Sequence, residues 1–113
     1  MNEKDLIFLK HILESIEKIE SYTKNSSKEK FTKQIQLQDA IIRRLEIMGE
    51  AAKNITSDFK NKHNSLPWSE MIRTRDKVIH GYFGIDLDIV WDITQKDLPL
   101  LKKQIKKVLS EKD

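Results

Sequence analysis

KEKFTKQIQLQDAIIRRLEIMGEAAKNITSDF, residues 28–59, is the stretch on which the fold turns. Phe31, Ile35, Ile41, Ile42, Leu45, Met48, Ala52, Ile55 and Phe59 recur mostly three or four residues apart, the period of one helix face. That stripe predicts a long second helix. Gly49 is where it is expected to kink or divide, since glycine in a helix interior costs about 1 kcal/mol against alanine. Gln34 and Gln38 also fall on the stripe, so their amides are either satisfied inside a bundle or turned to a partner.

On the N-terminal side, Ser26 and Glu29 have the spacing of a capping box, and residues 23–27 form a polar loop before it. Further upstream, Leu6, Phe8, Leu9, Ile12, Leu13, Ile16 and Ile19 share one broad arc and predict a first amphipathic helix from Glu3 to about Lys24. Glu20 lies inside that arc. Either the helix end leaves the core there, or the carboxylate is buried with a partner.

On the C-terminal side, residues 61–66 read as a second polar loop, and Pro67 suits the first turn of a third helix running from Trp68 to Ile79. Gly81 and Gly84 should end it in a tight loop, GYFGID, residues 81–86. Asp86 or Asp88 can cap a fourth helix. That helix has Val90, Trp91, Leu98, Leu101, Ile105, Val108 and Leu109 on one side and Lys96, Lys102, Lys103 and Lys106 on the other. Pro99 lacks an N–H and should kink or split it near Leu98. The expected architecture is all-α, an up-and-down bundle of four or five helices.

Composition agrees. The chain has 113 residues, 3 Gly and 2 Pro, too few turn formers for a sandwich or barrel and a length for one domain, residues 1–113. With no cysteine, disulfide scaffolds, Cys-ligated zinc, iron–sulfur clusters and thiol catalysis are excluded. The 21 basic and 18 acidic residues leave a net charge of +3, which permits a polyanion partner without requiring one. No apolar run approaches the ~18 residues of a membrane span, and no signal-peptide core opens the chain, so a cytoplasmic protein without a membrane partner is expected.

The densest chemistry lies in RTRDKVIHGYFGID, residues 73–86. Arg75 offers a permanent forked charge suited to phosphate oxygens. His80 can accept or donate a proton near neutral pH. Tyr82 offers a hydroxyl that can hydrogen-bond or be modified. Five residues of ideal helix turn through about 140°, so Arg75 and His80 do not share a face. They converge only if His80 lies at a frayed helix end or if a second copy of the chain supplies one side. Asp76 stands four residues before His80 and could orient the imidazole or favour its protonated form. The plain alternative makes Arg75 a surface ion-pair residue, His80 a helix end group and Tyr82 a core aromatic.

RDKVIHGY, residues 75–82, resembles the R-x4-H-x-Y motif of the HepT-like toxins, within the wider HEPN superfamily of ribonucleases. AIIRRLEIMGEAAKNI, residues 40–55, is similar to that family's second helical signature. PWSEMIRTRDKVIHGYFGIDLDIVW, residues 67–91, resembles the stretch around its motif. Coverage runs from about Ile35 to the C-terminus. The resemblance implies a homodimeric helical bundle in which the two motifs meet in a cleft, and RNA cleavage without a metal or other cofactor. It implies that Arg75 and His80 are the catalytic pair and that Asp76 supports them. It further implies a type VII-like toxin–antitoxin pair, in which a minimal nucleotidyltransferase neutralises the toxin by transferring AMP to Tyr82. Glu50 sits in the matching G-E-A segment and receives no role.

Other features are weaker. His11 is expected to be exposed, off the apolar arc, and His63 to be solvated in its polar loop. Lys102, Lys103, Lys106 and Lys107 read as a solvated face or, more sharply, a supplementary RNA-backbone patch. No residue set has metal-ligand spacing, and there is neither a glycine-rich phosphate loop nor a Ser/His/Asp arrangement. The rival to a ribonuclease is a non-catalytic helical module that binds nucleotide or a partner alongside a nucleotidyltransferase.

Overall fold

Asn2 opens the first helix by accepting hydrogen bonds from the Lys4 and Asp5 amides at 2.7 and 3.3 Å, which satisfies donors that a helix start leaves bare. The computed structural model describes residues 2–80 and 85–111, and the side chains of all these except Ile79 and His80. The helices are α1 (Glu3–Thr23), α2 (Lys28–Lys33), α3 (Ile35–Asn54), α4 (Ser57–Lys62), α5 (Trp68–His80), α6 (Leu87–Asp92) and α7 (Leu98–Ser110), with a π-helical turn at Ile93–Asp97. The expected all-α class holds, with no strand among the described residues. None of these helices is long and apolar enough to cross a membrane.

α3 lies between α1 and α5, and α7 closes against α1. Leu9, Ile12, Ile16 and Ile19 of α1 meet Ile41, Leu45, Met48 and Ala52 of α3 in one core, which Trp91, Leu98, Leu101 and Ile105 complete. Each large side chain fully buried there contributes roughly 1.5–3 kcal/mol.

The long apolar stripe is three helices rather than one, and Gly49 is not where it divides. It breaks at Gln34 and at Ile55, both with extended backbone. At the first break the Gln38 side chain donates to the Phe31 carbonyl at 2.9 Å, closing the end of α2 from within the fold. The reorientation leaves Ile35 exposed, although it lies on the stripe. Ser27 rather than Ser26 caps α2, accepting from the Lys30 amide. At the second break Thr56 caps α4 by accepting from the Phe59 amide, so residues 57–62 are helical where a loop was expected from residue 61.

A buried carboxylate fixes that second break. Asp5 is 2% exposed. Its two oxygens accept from the Thr56 amide at 2.9 Å and the Thr56 hydroxyl at 2.7 Å, across 51 residues of chain. Buried charge is tolerated only when its hydrogen bonds are made, as here.

Pro67 stands one residue before α5, where its carbonyl accepts from the Met71 amide. Asp86 caps α6 through the Asp88 and Ile89 amides. Pro99 acts as expected: it sits in the first turn of α7, and the helix before it relaxes to a π turn in which the Leu98 amide donates to the Ile93 carbonyl. Glu20 is a partnered carboxylate. It pairs with Lys102 at 2.7 Å, so Lys102 is not a freely solvated lysine. The hydrogen bond to Glu20 holds the Lys102 ammonium above its ordinary pKa, against a smaller desolvation effect. That raised pKa favours the folded state through neutral pH, and the benefit is lost as pH rises past the lysine range. His63 is also not simply solvated: it is half-buried against the Phe59 ring, and its carbonyl accepts from the Trp68 indole.

Asp5→Ala leaves the Thr56 amide without its acceptor and should destabilise the fold by about 1.5–3 kcal/mol, the range for hydrogen bonds to a charged group. The check is urea denaturation, with a lower midpoint and an unchanged slope.

Candidate active site around Arg75

α5 turns Trp68, Met71 and Val78 into the core. That leaves Arg75 on its flank, at the seam with α3. The seam is tight because Gly49 carries no side chain. A Cβ there would lie 2.1 Å from the Arg75 Cβ and 2.8 Å from the Met71 carbonyl oxygen. The glycine expected to kink a helix is instead where two helices touch, and α3 runs through it unbroken.

The close approach brings Arg75 against two carboxylates. One guanidinium nitrogen lies 2.9 Å from Glu50 on α3, and another 3.0 Å from Asp76 on α5. The Arg75 side chain is 22% exposed, while those of Glu50 and Asp76 are 54% and 51% exposed. The fork is therefore anchored, but its partners stand half in water. Such pairs are worth only about 0–1 kcal/mol, so an incoming phosphate can replace a carboxylate at small cost. Glu50, which the sequence left without a role, is one of the two carboxylate partners of Arg75. Its place in the G-E-A segment was visible, but no local pattern linked it to a residue 25 positions on.

Asp76 accepts from Arg75 through Oδ1 at 3.0 Å, and its expected pairing with His80 falls on a side chain outside those described. α5 is described as far as His80, whose side chain lies outside those described. Tyr82 and the expected loop at residues 81–84 also lie outside the described residues.

Beside Arg75 is an open cavity of about 350 Å³ between α1 and α3, lined among others by Phe8, His11, Glu46, Glu50 and Asn54. His11 is exposed, as expected, yet it stands in the cavity that Arg75 borders, and its ring meets that of Phe8 edge-on at 6.1 Å. Helical periodicity placed His11 off the core but could not show what it faced.

Fold and site together define an all-α protein with an anchored, water-accessible arginine suited to phosphate. The chain belongs to the ribonuclease HepT-like family, which matches residues 12–108. It is 50% identical over 107 residues to a protein of Methanocaldococcus jannaschii named as a gamma-glutamylcyclotransferase and candidate RNase. That match covers 95% of this chain but only 48% of the relative, so the chain spans about half of that protein's length. A candidate ribonuclease HepT of Thermococcus cleftensis is 46% identical over 101 residues, 89% of this chain and 92% of its own. A candidate RNase of Caldanaerobacter subterraneus subsp. tengcongensis is 42% identical over 104 residues, 92% of this chain and 93% of its own. No solved structure matches the chain.

Gly49→Ala separates the packing effect from helix propensity. On an exposed helix the change would stabilise by about 1 kcal/mol. Here the added methyl forces α3 and α5 apart, and the net change should be a loss of about 1–3 kcal/mol, with a shifted Arg75 side-chain NMR signal. Stabilisation with an unmoved Arg75 signal would contradict the close approach.

Proposed function

We propose that residues 1–113 form one HEPN-like helical unit that acts in the cytoplasm as an endoribonuclease toxin, using Arg75 and His80 without a metal. The observation that carries this reading is the Arg75 fork, held at the α3–α5 seam beside an open cavity, within a chain of the ribonuclease HepT-like family.

The chemistry follows from the groups. An RNA 2′-hydroxyl attacks the adjacent phosphorus, and the bond from phosphorus to the 5′-oxygen breaks. His80 removes the hydroxyl proton or returns one to the leaving oxygen. Arg75 exchanges a carboxylate for the phosphoryl oxygens and stabilises the charge that grows on them. Asp76 shares its carboxylate between that arginine and the histidine four residues on. The products are a 2′,3′-cyclic phosphate and a 5′-hydroxyl. Arg75 and His80 lie about 140° apart around one ideal helix, which favours a homodimer whose two copies complete one cleft across the two-fold axis.

His80→Ala and Arg75→Ala should each lower RNA cleavage by about 100-fold or more while circular dichroism stays helical. EDTA should leave the wild type unchanged; activity lost to EDTA and restored by Mg²⁺ would overturn the metal-free reading. A folded wild type that cuts no RNA would favour the non-catalytic module.

We infer a type VII-like toxin–antitoxin pair for the same chain. The partner is a minimal nucleotidyltransferase that moves AMP from ATP onto the Tyr82 hydroxyl and releases pyrophosphate. The new phosphodiester is an anion in the sequence neighbourhood of Arg75, where it competes with RNA by charge and bulk. Tyr82→Phe keeps the ring and deletes the acceptor oxygen. It should fold normally and escape neutralisation, and mass spectrometry should find AMP increments on the Tyr82 peptide of the wild type alone.

A further inference from the structure

The geometry points to a nucleoside pocket beside Arg75, in which Phe8, His11, Glu46 and Glu50 hold one base flanking the phosphate that Arg75 grips. This inference rests on the ribonuclease reading for its biological substrate, and on the cavity alone for its binding chemistry.

The cavity of about 350 Å³ falls at the small end of the range for small-molecule sites, roughly 300–1,000 Å³. Its surfaces differ in kind. Ile47 and the buried Ala51 give it an apolar floor. The rings of Phe8 and His11 stand at 84° to each other on the α1 side. Phe8 is half-buried against the core and so held in place, whereas His11 is exposed. A fixed aromatic beside a water-accessible one is a surface on which a base can stack, and such stacking is worth about 1–3 kcal/mol per base.

The charges argue against a second phosphate here. Arg75 is paired with Glu50, and Arg43 with Glu46 at 3.4 Å, so the two cations are offset by two anions. Arg43 is largely exposed, but the Glu46 side chain is only 26% exposed. With Arg75 given to the phosphate and Arg43 largely exposed, Glu46 and Glu50 supply carboxylate oxygens, hydrogen-bond acceptors, to the lining. Carboxylate acceptors favour a base edge that carries an exocyclic amino group. Cytosine, adenine and guanine carry an exocyclic amino group; uracil offers only its ring N3–H, flanked by two carbonyl oxygens that a carboxylate repels. The pocket thus favours amino-bearing bases, with the phosphate outside it on Arg75.

The test uses the full chain and uncleavable 2′-deoxy dinucleotides of C, A, G and U, followed by NMR and by Kd. Binding of the C, A and G dinucleotides should shift the Phe8 and His11 ring signals and be about 5-fold or more tighter than that of the U dinucleotide. His11→Ala, at an exposed position, should weaken all of them by about 5-fold or more, the lower end of one lost stack. The isosteric Glu46→Gln should erase the preference over U. In RNA cleavage, His11→Ala should raise KM with little change in kcat. Unmoved Phe8 and His11 signals, or a base preference that survives Glu46→Gln, would overturn the pocket. If the dinucleotides bind as described and the wild type still cuts no RNA, the ribonuclease reading fails and the pocket stands as a site for free nucleotides. If RNA is cut while the ring signals stay fixed, the pocket fails and the ribonuclease reading stands.

Discussion

The contact between α3 and α5 at Gly49 sets the terms for the rest of the molecule. A hydrogen atom in place of a methyl group lets the Arg75 Cβ and the Met71 carbonyl come within reach of the α3 backbone. With any larger residue the helices would stand further apart. The Met71 and Met48 side chains would then pack less closely in the core they share, and Glu50 would no longer meet the guanidinium. A single packing choice therefore serves stability and the site together. It also explains how a partly exposed arginine is held at a helix seam: the start of its side chain lies against Gly49 of α3, and its guanidinium pairs with two half-exposed carboxylates.

Polar latches do for the outer elements what that contact does for the centre. Asp5 ties the start of α1 to the turn between α3 and α4, and Glu20 ties the far end of α1 to α7. The two differ in weight. Asp5 is buried and hydrogen-bonded twice to Thr56, so removing it strands a donor. Glu20 is 40% exposed, and its pair with Lys102 is screened by water. α1 is thereby pinned along its length. Because Phe8 and His11 sit on α1, that pinning also sets the wall of the cavity beside Arg75.

The sequence was most legible where structure depends on near neighbours. Apolar spacing is repeated every turn, so the long helices α1, α3 and α7 were each foreshadowed by their stripes, and α5 by Pro67 just before it. Asp86 and Pro99 act through backbone groups within a turn of themselves, and both behave as their chemistry requires. The breaks at Gln34 and Ile55 were not legible, because neither residue is a helix breaker by type. They are set by the Gln38 amide closing on Phe31 and by a carboxylate 51 residues away. Gly49 was read by its intrinsic cost, when its actual role depends on what lies opposite.

The R-x4-H-x-Y spacing and the helical class were thus determined by the sequence alone, since both are local patterns along one strand of chain. The partners of Arg75, the seat of His11 beside it and the pairing of Glu20 with Lys102 across 82 residues were decided only by the tertiary structure. The physical reason is separation. Periodicity shows that a side chain leaves the core, but which distant group it then meets depends on how closely two helices approach, and here one missing methyl group sets that distance.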